Sequence, residues 1–179
     1  RRALDRYLDR ALHANRLTND GPLVQELEDR LSSYLHVPHV VLVSSGTVGL
    51  QMPAKALGLA GEVILPSWTF VAPASALQWI GLRPVFVDVA DDTQTLSPTA
   101  VASAITSSTS AILGVHMWGV PCDDAALRAL ANQYRLGLFY DAAHAFGVEG
   151  IAVLGDCSVF SFHATKAFST IEGGCIATS

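Results

Sequence analysis

An α/β domain built on a mostly parallel, mixed sheet of seven strands flanked by helices is predicted from two observations. Seven short β-branched or aliphatic runs are bounded by Gly, Pro, Ser or Asp, which is how strands are punctuated. Between the first five lie stretches with apolar residues at helical spacing, and strand alternating with helix calls for parallel pairing through right-handed crossovers.

In chain order, RRALDRYLDRALHANRL (1–17) breaks its apolar positions with charges every few residues, so it reads as an amphipathic helix and not as a signal peptide. The strand candidates are HVVLV (39–43), EVILP (62–66), RPVFVDV (83–89), SAILGVH (110–116), LGLFYDA (136–142), CSVFSFH (157–163) and GGCIATS (173–179). The helix candidates are TVGLQMPAKALGL (47–59), FVAPASALQWIGL (70–82), SPTAVASAI (97–105) and DDAALRALANQYR (123–135), the last two with Ser97 and Asp123 as N-caps.

Composition narrows the possible functions. Half of the 179 residues are hydrophobic and only 15% are charged, which points to strands buried on both faces, to a subunit interface, or to both. The net charge is −5 and no run of Lys and Arg supplies a phosphate-neutralising stripe, so nucleic acid is not an expected partner. Cys122, Cys157 and Cys175 are odd in number and far apart; they suggest buried thiols, with neither a disulfide framework nor a metal site. No apolar run approaches the ~18 residues of a membrane span. A soluble, cytoplasmic protein is expected.

Parallel sheets bind ligands beyond the carboxyl ends of their strands, and three such ends carry chemistry. At SSGTVGL (44–50) a strand passes through Ser-Ser-Gly-Thr into a helix, which is either a phosphate site at the positive end of a helix dipole or an ordinary turn with a serine cap. In LFYDAAHAFG (138–147) an apolar strand leads into Asp141, with His144 one helical turn on. That aspartate is either a helix cap or a buried carboxylate in need of a cationic partner. SVFSFHATKAFSTIEGG (158–174) holds a single lysine, Lys166, among Ser161, His163, Thr165, Ser169 and Thr170. It is either a surface residue at a turn or a desolvated amine able to act as nucleophile and proton carrier. Taken as one site, the three ends ask for a phosphorylated, electron-deficient heterocycle, and pyridoxal 5′-phosphate meets that demand.

SSGTVGL, LPSWTFVAPASA, RPVFVDV, VHMWGVPCD, DAAHAFG, GDCSVFSFHATK and EGGCI, in this order, resemble the DegT/DnrJ/EryC1/StrS family of sugar aminotransferases, which have the fold type I architecture of aspartate aminotransferase. LTNDGPLVQELEDRLSSYL (17–35) is similar to the family's N-terminal segment. The resemblance implies a helical N-terminal segment over 1–35 and a cofactor-binding large domain over 36–179. It places Lys166 as the lysine that bonds covalently to the cofactor and shuttles the proton. Asp141 takes the place of the carboxylate on the pyridinium nitrogen, and His144 stands near the phenolic oxygen. Gly46 and Thr47 match the phosphate-binding turn, Ser161 the hydroxyl that completes it, and Phe70 the aromatic stacked on the ring, with Trp68 as its rival.

Glu172 is read as structural, ahead of a glycine pair with unusual dihedrals, and His116, Trp118 and Tyr140 either line the pocket or are plain packing, the commoner role of such side chains at strand ends. The implied activity is amino transfer from an amino acid, glutamate foremost, to a nucleotide-linked keto sugar, by a homodimer. A sugar dehydratase of the same family and a non-catalytic paralogue that keeps the fold are the alternatives. Lys166, where the dehydratases carry histidine, opposes the first, and the retained Lys166, Asp141 and Ser161 oppose the second. The segment 147–156 is shorter than in the family. The family also continues beyond GGCIATS into a C-terminal small domain, where substrate recognition is expected.

Overall fold

The computed structural model describes residues 2–179 except Thr18; Arg1 and Thr18, both in the expected N-terminal segment, lie outside the described residues. The first helix, α1 (Arg2–His13), is shorter than its amphipathic pattern. Asn15 and Asp20 take left-handed backbone with φ of 49° and 54°, and a second helix, α2 (Pro22–Leu35), then starts with its proline in the first turn. Proline is favoured there because its missing N–H has no intrahelical acceptor to lose. The boundary expected at 35/36 falls between α2 and the first strand.

Seven strands follow: β1 (His39–Val43), β2 (Glu62–Pro66), β3 (Arg83–Val87), β4 (Thr109–Val115), β5 (Gly137–Asp141), β6 (Cys157–Ser161) and β7 (Gly174–Thr178). They form one sheet in the order β1-β7-β6-β5-β4-β2-β3. Only β7 runs against its neighbours, pairing antiparallel with both β1 and β6, so the sheet is mixed and mostly parallel, as the sequence implies. The intervening helices are α3 (Gly46–Ala56), α4 (Val71–Trp79), α5 (Pro98–Ala104) and α6 (Asp124–Tyr134). Ser97 Oγ accepts from the Ala100 amide and Asp123 Oδ1 from the Ala126 amide at the starts of α5 and α6, the two caps expected from sequence.

Both faces of the sheet are covered. Phe139, Leu113, Leu65 and Val159 face Leu50 and Leu77 of α3 and α4, while Leu138, Tyr140, Ile112 and Ile64 point the other way, toward Val101 and Leu127 of α5 and α6. This alternation along β5 is the two-residue period of a strand, and each fully buried large side chain contributes about 1.5–3 kcal/mol. At the β1 end the second face is closed by α2, whose Leu31 packs with Val40, Phe160, Phe162 and Ala177. α1 buries no residue.

One close approach sets the position of the site. A Cβ on Gly49 would stand 2.6 Å from Val159 Cγ1, so only glycine lets α3 lie this near to β6. The start of α3 thereby comes beside Ser161, at the carboxyl end of that strand.

Candidate active site

Since β1 and β6 are both antiparallel to β7, and β6, β5 and β4 are mutually parallel, the carboxyl ends of these four strands share one edge. A cavity of about 400 Å³ opens there. Ser45, Gly46 and Thr47 border it from the start of α3, Thr69 and Phe70 from the approach to α4, Val115 from β4, Asp141, Ala143 and His144 from the end of β5, and Ser161, His163, Thr165, Lys166 and Glu172 from the end of β6 and the segment after it. Every residue expected at the site lines it: Lys166, Asp141, His144, Gly46, Thr47, Ser161 and Phe70. Trp68, the rival aromatic, does not, and its side chain is half exposed.

At one end, Ser45 caps α3, its Oγ accepting from the Val48 amide at 3.2 Å. The amides of Gly46 and Thr47, in the first turn, have no carbonyl one turn back to bond and carry the positive end of the helix dipole. Ser161 is buried, with its Oγ receiving only a long 3.4 Å contact from the His163 amide. A Cβ on Gly46 would meet Ser161 Cβ at 3.0 Å, so the glycine keeps the amides and the hydroxyl together. Two amides and a hydroxyl with unspent donors, at a helix N-terminus, form a site for an anion.

The other end is ionisable. Asp141 is 7% exposed, and burial raises its carboxyl to about 6, against the Ala143 amide, which donates to Oδ1 at 2.9 Å, and the positive charge of Lys166. His144 is depressed by partial burial and then by Lys166. Lys166 therefore acts on both groups from across the same cavity. Its own position is set by a tight turn, in which its amide donates to the His163 carbonyl at 2.9 Å and His163 Nδ1 lies 2.9 Å from Thr165 Oγ1. A cation in hydrogen-bond contact would favour the ionised form of this buried carboxylate. Phe70, an apolar ring, lies 70% exposed at the rim of the cavity.

The structure corrects several readings. Ser169 and Thr170 do not line the cavity; they hold their own loop, Ser169 Oγ accepting from the Ile171 amide and Thr170 Oγ1 donating to the Glu172 carbonyl. Glu172, read as structural, is at the cavity wall, its carboxylate 3.7 Å from His163 Nε2, although Gly173 after it does take positive φ, +148°. Trp118, for which packing is the commoner expectation, is 69% exposed and stacks on His144. His116 and Tyr140 are packing groups, buried and stacked on each other at 4.4 Å, with burial lowering the His116 imidazole to about 4. The three cysteines are free and buried, their thiols pushed up to about 12 by burial. Thr69 was not anticipated: its Oγ1 is buried with no hydrogen-bond partner, and only the fold, which turns it toward the cavity, reveals it.

Comparison with known proteins places the chain among relatives of one family. The model of the DegT/DnrJ/EryC1/StrS aminotransferase family matches residues 2–179. A dTDP-4-amino-4,6-dideoxy-D-glucose transaminase of Shigella dysenteriae is 46% identical over 95% of this chain and 47% of its own length. Among solved structures, DesI in the presence of its TDP-sugar product superposes with a TM-score of 0.94 at 51% identity, over 99% of this chain and 47% of that one. NtdA from Bacillus subtilis with bound cofactor PMP gives 0.85 at 34%, over 89% and 37%. The chain thus spans about half the length of the curated relatives it matches. With the fold, the ordered motifs and the family model in agreement over the same residues, the chain belongs to the DegT/DnrJ/EryC1/StrS aminotransferase family.

Proposed function

We propose that this chain binds pyridoxal 5′-phosphate and serves a transaminase that moves an amino group from an amino acid, glutamate foremost, to the keto group of a nucleotide-linked sugar. The observation that carries the proposal is the meeting, in one cavity, of a lysine, a buried carboxylate and an anion cup, each from a different strand end. The names of the relatives support the sugar class, and the PMP-bound neighbour supports the cofactor.

The residues present fit the group on three observations. The cup has donors to spare and a glycine cradle that a Cβ would close onto Ser161. Burial raises the Asp141 carboxyl to about 6, and a protonated ring nitrogen in contact with it would favour the ionised form. The orphaned Thr69 hydroxyl lies in the same wall. When bound, the cofactor supplies an aldehyde that bonds to amines and a protonated ring that withdraws electrons from the adjoining carbon.

The chain's residues do the rest. Gly46, Thr47 and Ser161 would hold the phosphate, and Asp141 would accept the ring N–H and keep it protonated. Phe70 covers a ring face and excludes water. His144 is assigned to the phenolic oxygen, where its hydrogen bond orients the ring. Lys166 would bond to the aldehyde, and its Nζ, able to gain and lose a proton, would serve as the positioned general base and acid for the donor α-carbon. The same groups would serve the return of the amine to the keto sugar.

We place the protein in the cytoplasm, a reducing compartment that suits three unpaired thiols. Apolar side chains exposed on α3 and at the start of α4, namely Val48, Met52, Trp68, Phe70 and Val71, support a homodimer closed over this side of the molecule. The experiment is spectroscopic and chemical: the cofactor-free protein is titrated with pyridoxal 5′-phosphate, then given glutamate, then a nucleotide-linked keto sugar. A visible band that forms, is lost on glutamate and is followed by aminated sugar is the expected result. No band and no amine transfer would overturn the proposal.

A further inference from the structure

The connection from β4 to α6 holds a residue that packing does not explain. Trp118 takes left-handed backbone, φ 54° and ψ 18°, which is unfavourable for a bulky side chain, and its indole is 69% exposed. A conformation both strained and unburied persists only where its surroundings over-determine it. The indole lies against the imidazole of His144, with ring centroids 5.6 Å apart and planes at 18°.

The backbone of the turn is fastened to the same neighbourhood. The His116 amide donates to the Asp141 carbonyl at 3.0 Å, the Gly119 amide to the His116 carbonyl at 3.1 Å and the Val120 amide to the Met117 carbonyl at 2.8 Å. The Cys122 amide donates to His116 Nδ1 at 3.1 Å. Gly119 is also left-handed, with φ +83°, and a Cβ on it would stand 3.3 Å from the His144 carbonyl oxygen. A turn anchored on the main chain of Asp141 therefore delivers an aromatic face to the side chain of His144, three residues further on.

We propose that Trp118 is a positioning residue, whose indole fixes the plane of the His144 imidazole in the cavity wall shared with Asp141 and Lys166. The consequence for catalysis rests on the function proposed above; the effect on His144 itself does not. A half-exposed imidazole beside a short turn has several rotamers open to it, and stacking on a flat partner removes most of them. The indole also shields one ring face from water, in keeping with burial being the larger cause of the depressed His144 and the Lys166 charge the smaller. Asp141, His163 and Glu172 are the other titratable groups of the cavity.

The test compares Trp118→Ala with Trp118→Phe in the full protein, first without cofactor. Histidine NMR titration is expected to place the His144 midpoint below 6.5 in the parent, to show it rising toward that value in Trp118→Ala, and to return it in Trp118→Phe. With cofactor, kcat for amino transfer is expected to fall about tenfold in Trp118→Ala, with the donor KM within about twofold, and Trp118→Phe to recover most of the loss, as for other residues that orient a functional side chain. A His144 midpoint that stays put in Trp118→Ala, or moves equally in Trp118→Phe, overturns the proposal whatever the activity. Expected midpoints in a protein that transfers no amine uphold the positioning role and refute the proposed reaction instead.

Discussion

The two ends of the cavity are held in place by different physics. The Gly46 end has no ionisable side chain: it presents main-chain amides and the Ser161 hydroxyl, and its shape depends on glycines that let backbone approach side chain, Gly46 against Ser161 and Gly49 against Val159. The Asp141 end contains ionisable groups whose protonation is displaced by burial and by one another, Asp141 upward and His144 downward. A cup of neutral donors is sensitive to tenths of an ångström and hardly to pH, whereas a desolvated charge is sensitive to pH and to the loss of its partner. Changes at the first end should therefore act on affinity and stability, and changes at the second on rate.

The sharpest break in that contrast is Lys166→Ala, which removes the proposed nucleophile and proton carrier while leaving the apolar core intact. Amino transfer should fall by at least about 10⁴-fold, with the melting temperature little changed. Near-normal turnover would show that the ionisable end does not carry the chemistry.

Asp141→Asn comes next and separates rate from stability. It keeps shape but removes the charge proposed to hold the ring nitrogen protonated, so amino transfer should fall about 10²–10³-fold, as for other lost electrostatic contacts in enzyme sites. Stability should move the opposite way in the cofactor-free protein. The folded state holds the Asp141 proton up to about 6, while the unfolded chain releases it near 3.8, so between these values the folded state binds more protons. The stability contributed by this group is therefore lost as pH rises through that window, and Asn has no such loss. At pH 7 the variant should be more stable by up to about 3 kcal/mol, the difference vanishing toward pH 4. Denaturant melts at the two pH values would show it, and a variant less stable at pH 7 would mean that the buried carboxylate is already compensated.

At the neutral end, Gly49→Ala should destabilise the fold by about 1–3 kcal/mol, because the new methyl overlaps Val159 and must push α3 off β6. Cofactor affinity should fall with it, since the amides of Gly46 and Thr47 move too. An alanine variant with unchanged melting and unchanged affinity would remove the case for packing control of the cup. The smallest expected effect is that of Phe70→Ala, a rim side chain whose stacking on a bound ring contributes about 0.5–1.5 kcal/mol. A several-fold weaker cofactor affinity without a change in melting is expected, and a null result would leave the ring face to another residue.

Much of this was legible in one dimension because it is periodic or local. EVILP and HVVLV coincide with β2 and β1 residue for residue, since an apolar run between turn-forming residues has few other uses. Ser97 and Asp123 cap the helices expected of them, since a cap is a contact over three residues. CSVFSFH, by contrast, was read two residues too long: β6 ends at Ser161, and His163 turns to receive the Lys166 amide. The helical N-terminal segment divides at Asn15–Pro22 because left-handed residues and a proline interrupt a pattern that remains amphipathic on both sides.

The sequence alone determined which groups are available and near which strand ends: a lysine, a carboxylate, a glycine turn and a hydroxyl, each following an apolar run. Only the tertiary structure decided that they face one another, because that depends on β7 lying antiparallel between β1 and β6 and on α3 closing to within a methyl group of Val159. The β1–β7 pairing and the approach of α3 to β6 join residues more than a hundred positions apart, and such contacts leave no period in the chain. The displaced protonation of Asp141, the orphaned hydroxyl of Thr69 and the strained indole of Trp118 are of the same kind. Each is a property of the surroundings of a residue, and those surroundings exist only once the sheet has formed.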